Sequence, residues 1–189
     1  VYKQMIEDTL FGAKVSTFCK TTTSTGDQLT TDKIKDLFKE GISVLTYFGH
    51  SSSTTLEFNL DNPQAYENEG KYPVFFVNGC NAGNFFTYYP QRFTVNETLS
   101  EKFVLAKKRG SIAFMASTHF GIVNYLNIYL NNLYQVIGRR DYAHSLGEIN
   151  QMSLQSLLDA TGPFDYYARM HVEEITLHGD PAIRLNVQD

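Results

Sequence analysis

The sequence contains no tryptophan, two cysteines and five prolines in 189 residues. Cys19 and Cys80 are too few for the disulfide scaffold of a small secreted module. A bridge between them would need the fold to bring them within a few ångströms. No apolar run approaches the roughly 18 residues that span a bilayer, so no transmembrane segment is expected. Nor does a charged start precede an apolar stretch, so no signal peptide is read here. The chain opens on Val1 rather than methionine, as a trimmed piece of a longer protein would. The missing signal therefore says nothing of where that protein works. Positive charge is also scarce: 16 Lys and Arg against 20 Asp and Glu leave a net charge of -4. A polyanion would meet repulsion, so nucleic acid is not an expected partner. The one basic cluster, Lys107-Lys108-Arg109, reads as the cationic last turn of a helix.

What is present is ordinary globular composition, with an aromatic share of 14% that raises slightly the expectation of a recognition cleft. Short β-branched or aromatic runs alternate with helical stretches, which points to the α/β class: a three-layer, mostly parallel sheet with helices on both faces. Apolar spacing gives a helix over Tyr2–Leu10, and alternation gives a strand over Ala13–Lys20. A Thr-rich loop, Thr21–Thr30, leads to a helix over Asp32–Glu40 with Thr31 as N-cap and Gly41 as stop. Strands follow over Ile42–Phe48 and Pro73–Val77. A helix capped by Asn96 is expected to reach Arg109, closed by Gly110. Ser111–Ala116 reads as a further strand. Ile122–Ile137 reads as an apolar helix stopped by Gly138, and another surrounds Leu146, Ile149 and Met152. Leu177–Val187 closes the chain as strand and turn. No repeat or linker divides the sequence, so residues 1–189 read as one domain.

Two successive apolar strands end in reactive side chains: Val44-Leu45-Thr46-Tyr47-Phe48-Gly49-His50 and Val74-Phe75-Phe76-Val77-Asn78-Gly79-Cys80. Ligands of open α/β sheets bind beyond the carboxyl ends of the strands. If these strands are parallel and adjacent, His50 and Cys80 emerge side by side. A thiol attacks a carbonyl once a base takes its proton, and imidazole suits that work. Gly49 and Gly79 would let backbone approach a substrate closely, and the amides of Cys80 and of a neighbour of His50 could stabilise an oxyanion. Taken singly, Cys80 reads as a small buried hydrophobe and His50 as a surface or capping residue. Paired on strand ends, the catalytic reading stands level with that one.

Five segments in order resemble the gingipain family of cysteine peptidases, of the broad clan that includes caspases and legumains. They are Tyr47-Phe48-Gly49-His50-Ser51-Ser52, Asn78-Gly79-Cys80-Asn81-Ala82-Gly83-Asn84-Phe85, Gly110–Thr118, Ser145-Leu146-Gly147-Glu148 and Leu177-His178-Gly179-Asp180-Pro181-Ala182. The resemblance implies a caspase-like fold, Cys80 as nucleophile, His50 as general base and a protein or peptide substrate. It implies no cofactor. The segment through Ser117 and Thr118 matches a strand that walls the family's substrate pocket, and His119 would follow it there. Ser51 stands where the family usually has glycine, and its amide remains available to an oxyanion. The family's catalytic domain is larger than this chain, which looks like its C-terminal half to two-thirds. The upstream part would supply the acidic partner of His50; Glu57 and Asp61 are merely near in sequence.

Relatives also act as sortases with type IX secretion components as partners, because an amine can intercept an acyl-enzyme as water does. A degenerate binding domain is a third reading, motivated by Ser51 and the missing upstream part. The resemblance places the parent protein in the periplasm, on the cell surface or outside a bacterium. His144, His171 and His178 lack metal-ligand spacing, so no metal site is expected. Gly179-Asp180-Pro181 reads as turn chemistry. Asn96-Glu97-Thr98 fits a glycosylation acceptor but serves better as a helix cap.

Overall fold

Val74–Asn78 is an almost unbroken apolar run, and such a strand must be covered on both faces. The computed structural model, which describes residues 2–7, 11–19, 28–86, 97–140 and 143–185, places it in the middle of a sheet. Strands β1 (Val44–Phe48), β2 (Val74–Asn78), β3 (Ala113–Ser117) and β4 (Ile175–Gly179) lie in the order β1-β2-β3-β4. The first three run parallel and β4 is antiparallel to β3. Every residue of β2 and β3 is buried, so both faces of the sheet centre are covered. The expected α/β class with a mostly parallel sheet is what forms.

The chain divides into two compact units. One comprises Cys19–Gly121 and Glu174–Gly179 and contains the sheet. Its helices are α2 (Gln28–Glu40) and α3 (Leu99–Val104). Their apolar faces meet one side of the sheet through aromatic rings. Phe38 of α2 stacks on Tyr66 at 3.9 Å between centroids, and Phe103 of α3 lies 4.6 Å from Phe75 of β2. Phe114 of β3 completes the group, 5.5 Å from Phe75. Phe38, Phe75, Phe103 and Phe114 have no exposed surface, and rings of this size dominate the energetics of a small core.

The other unit comprises Val1–Phe18, Ile122–Glu173 and Asp180–Asp189. It holds α1 (Tyr2–Glu7), α4 (Val123–Gln135), α5 (Leu146–Thr161) and most of α6 (Tyr166–Glu174). Leu146, Ile149, Ser153 and Leu157 form the buried stripe of α5, spaced at three and four residues as a helix face requires. Ser145 caps α5: the Glu148 carboxylate accepts from its N–H at 2.8 Å, completing a capping box. The next donors of that first turn are met by the closing segment, with Leu146 N–H on the Ile183 carbonyl and Gly147 N–H on that of Pro181. Asp180 fixes the turn by accepting from the Ala182 N–H at 2.8 Å. Two of the segments that carried the family resemblance are thus partners in building the fold.

Several expectations need correction. Residues 13–19 form no strand; Val15 N–H bonds the Glu7 carboxylate at 3.1 Å instead of a ladder, and Lys20 lies outside the described residues. Helix α2 begins at Gln28, so Thr31 lies within it and is no N-cap; residues 21–27 of the expected loop are outside the described residues. Gly41 does end α2, at φ 101°. Asn96 is likewise outside them, and α3 starts from Thr98, whose N–H bonds the Glu101 carboxylate at 2.9 Å. That helix stops at Val104, with Phe103 fully buried and Leu105, at the C-cap, 69% exposed. Lys107-Lys108-Arg109 therefore occupies a turn rather than a helix end. There Lys108 pairs with Glu69 at 2.9 Å, and Arg109 donates to the Gln64 carbonyl at 2.7 Å. Gly138 is no stop either: α4 runs into a π-turn, Val136–Arg140, that passes through it.

Candidate active site

The ends of β1 and β2 stand level. Their register pairs Phe48 with Asn78, and the Gly49 N–H continues the ladder to the Asn78 carbonyl at 3.1 Å. The offset of thirty between Phe48 and Asn78 is also that between His50 and Cys80, so these two follow at matching positions beyond the ladder. Three further contacts close the strand ends on each other. Ser51 donates its hydroxyl to the Cys80 carbonyl at 2.7 Å. Asn78, fully within the core, donates its amide to the Tyr47 carbonyl at 3.4 Å. Gly79 faces the Gly49 carbonyl so closely that a β-carbon would lie 2.6 Å from that oxygen.

The loop leaving β2 is tied equally to the end of β3. Asn81, at φ 57°, donates its N–H to the His119 carbonyl at 2.7 Å. Gly83 donates to the Ser117 carbonyl at 2.9 Å, and a β-carbon there would come within 2.7 Å of the Ala116 carbonyl oxygen. Glycine is required where backbone passes backbone at that range. The Cys80 thiol reaches this second loop itself: the Gly121 N–H lies 3.3 Å from Sγ, and the Gly121 carbonyl accepts from the thiol at 3.7 Å. Cys80 is partly exposed and His50 is exposed, so reagents reach both. Both Cys80 and Cys19 are free thiols.

Ser117 is buried, and its hydroxyl accepts from the His119 N–H and donates to the His119 carbonyl, both at 3.2 Å. Thr118 donates its N–H to the Glu174 carbonyl at 2.9 Å. The His119 imidazole lies 3.9 Å from a carboxylate oxygen of Glu174. Burial pushes the Tyr47 phenol up to about 12, with a hydrogen bond to the Glu57 backbone drawing it down and the Glu57 charge raising it less. Asp61 lies near Tyr66, where burial, with the Asp61 charge, pushes that phenol up too.

The remaining histidines are separate. His171 is buried; its Nε2 accepts from the Ile122 N–H at 2.9 Å and its Nδ1 lies 2.7 Å from the Tyr167 carbonyl. Burial holds its pKa below the usual imidazole range, against the opposing pull of that carbonyl. His178 is lowered likewise by burial, with Glu101 raising it, and its ring meets Phe85 edge-on at 4.4 Å. His144 pairs with Glu148 at 3.3 Å. Among the described residues no group of three or more His, Cys, Asp or Glu side chains gathers to hold a metal ion.

Three residues that contact the candidate site residues escaped the sequence reading: Gly121 at the Cys80 thiol, Tyr47 at the His50 carbonyl and Glu174 at His119. Gly121 sits beyond the expected strand and carries no reactive group to mark it. Tyr47 reads as one more apolar strand residue, and Glu174 lies in the helix α6 that weak periodicity concealed.

The profile of peptidase family C25 matches residues 2–186. Among solved structures, the complex of the Porphyromonas gingivalis RgpB pro- and mature domains shares the fold at a TM-score of 0.67 and 18% identity, over 82% of this chain and 37% of that one. The Arg-specific cysteine proteinase gingipain R (RgpB) aligns at 0.67 and 19% identity, over 82% and 36%. A structure described only as a protease aligns at 0.69 and 16%, over 79% and 37%. This chain thus spans little more than a third of the length of those it matches. No curated protein matches it.

Proposed function

The chain belongs to peptidase family C25, and on that premise we propose that its parent protein is a cysteine endopeptidase with Cys80 as nucleophile and His50 as general base. The single observation that carries the reading is the matched offset of thirty, which brings the imidazole-bearing and thiol-bearing strand ends out together.

His50 takes the thiol proton, and Sγ bonds to the carbonyl carbon of the substrate peptide. The carbonyl π pair moves onto oxygen, where the amides of Cys80 and Ser51 stabilise the negative charge. Collapse expels the amine, which leaves with the proton from the imidazolium. A thioester acyl-enzyme remains, and His50 then deprotonates the water that hydrolyses it. Gly49 and Gly79 let the two strand ends close on each other, since the space over each is taken by the Tyr47 and Ser51 hydroxyls. Thr118 and His119 wall the substrate side, with Ser117 buried beneath them and bonded through its hydroxyl to the His119 backbone. The gingipain likeness supports a secreted or cell-surface setting. Among the described residues no helix is long and apolar enough to cross a membrane.

Cys80→Ala in the full-length parent should abolish cleavage of a protein substrate, whereas undiminished cleavage would remove the assignment. Conjugates to anionic lipopolysaccharide that form only with Cys80 intact would shift the reading to a type IX sortase, in which an amine replaces water.

A further inference from the structure

A glycine precedes each residue of the dyad: Gly49 before His50 and Gly79 before Cys80. Neither glycine has a side chain that could hold its strand end, so the placement of each reactive residue depends on contacts made by its neighbours. Two hydroxyl groups from β1 and its extension supply the missing constraint. Tyr47 donates its phenol to the main-chain carbonyl of His50. Ser51 donates its hydroxyl to the main-chain carbonyl of Cys80 at 2.7 Å. We propose that Tyr47 and Ser51 are positioning residues, a pair of hydroxyl clasps that fix the His50 imidazole and the Cys80 thiol relative to each other. This rests on the reading of those two residues as the dyad.

The geometry around each clasp supports it. Tyr47 is 4% exposed, so its ring is held by the core and its hydroxyl arrives from a fixed direction. That hydroxyl also occupies the space over Gly49, 2.8 Å from where a β-carbon would lie. Ser51 acts on a peptide group held at both polar atoms. The Cys80 carbonyl takes the Ser51 hydroxyl, and the adjoining Asn81 N–H meets the His119 carbonyl at 2.7 Å. A peptide plane fixed twice cannot rotate without losing one bond. All of these residues lie in the unit that contains the sheet.

The test is the iodoacetamide alkylation rate of Cys80 at neutral pH in the 189-residue chain, with exposed Cys19 as internal reference. Tyr47→Phe and Ser51→Ala should each slow Cys80 about fivefold, the scale of one lost hydrogen bond, and leave Cys19 unchanged. Ser51→Thr, which keeps the hydroxyl, should restore the rate. His50→Ala should also slow Cys80, and Tyr47→Phe should then add nothing, because the clasp acts through the imidazole. If Tyr47→Phe and Ser51→Ala react at the wild-type rate while His50→Ala is slow, the clasps are wrong and the dyad stands. If His50→Ala is as fast as wild type, the dyad fails and the clasps fail with it. A Ser51→Thr variant as slow as Ser51→Ala, or a Tyr47→Phe effect undiminished in the His50→Ala background, overturns the proposal as well.

Discussion

A β-carbon on Gly79 would overlap the hydroxyl of Ser51 and come within 2.6 Å of the Gly49 carbonyl oxygen. The two strand ends therefore approach at a separation only glycine permits. Gly79→Ala should cost about 2 kcal/mol or more, the range of overpacked sites, and should slow Cys80 alkylation. Adding Ser51→Gly should recover only part, because the Gly49 carbonyl is backbone and cannot swing aside. Urea unfolding measures both, and a wild-type midpoint for Gly79→Ala would show that the ends are further apart.

Phe75 has no exposed surface and lies 4.6 Å from Phe103 and 5.5 Å from Phe114 between ring centroids. Phe75→Ala should destabilise by about 3–5 kcal/mol, since it removes the ring and leaves a cavity. Leu105→Ala, at a side chain 69% exposed, should change stability by less than about 0.5 kcal/mol. Thermal unfolding of the two variants side by side separates core from surface.

Helix α5 starts from Ser145, whose N–H and hydroxyl both donate to the Glu148 carboxylate at 2.8 Å. Ser145→Ala should lower stability by about 1 kcal/mol, and Ser145→Thr should restore most of it, because threonine keeps the hydroxyl that donates to the Glu148 carboxylate and accepts from its N–H. Equal stability of the alanine variant would mean the helix start is held by the Ile183 and Pro181 carbonyls alone.

His171 and His178 are both held below the usual imidazole pKa, in each case first by burial. A histidine whose pKa is lower folded than unfolded favours the native state fully above the unfolded value, near 6.5. As pH falls below that value the unfolded chain takes up protons first, and this contribution is lost. Unfolding midpoints should therefore decline between pH 7 and pH 5. For His171 the geometry adds a reason: Nε2 accepts the Ile122 N–H and cannot do so once protonated. His171→Gln should flatten the decline, and an unchanged slope would assign it to His178 or to other groups.

The parallel pair that presents the site was legible because β1 and β2 are short apolar runs with glycine and a reactive residue at the same distance past each. What the sequence hid was hidden for physical reasons. Helix α6 buries only Ala168 and His171, so its segment lacks the apolar stripe by which helices are recognised. Ala13–Lys20 alternates like a strand, yet alternation cannot show whether a ladder partner exists, and Val15 bonds a carboxylate instead. Helix α3 ends at Val104, well short of Arg109, and Lys108 beyond it takes φ 62°, a left-handed turn that a run of helix-favouring residues does not announce. Gly121 meets the thiol through backbone, and the Tyr47 hydroxyl meets the His50 carbonyl from a residue that otherwise serves the core. Such roles leave no pattern in spacing.

The central claim is that His50 serves the Cys80 thiol. Its most direct test is the alkylation rate of Cys80 against pH in wild type and in His50→Ala, each referred to exposed Cys19 in the same chain. A Cys80 rate well above that of Cys19 near neutrality, falling to the Cys19 level when His50 is replaced, is the predicted result. A Cys80 rate that follows the same pH curve with and without His50 would contradict it.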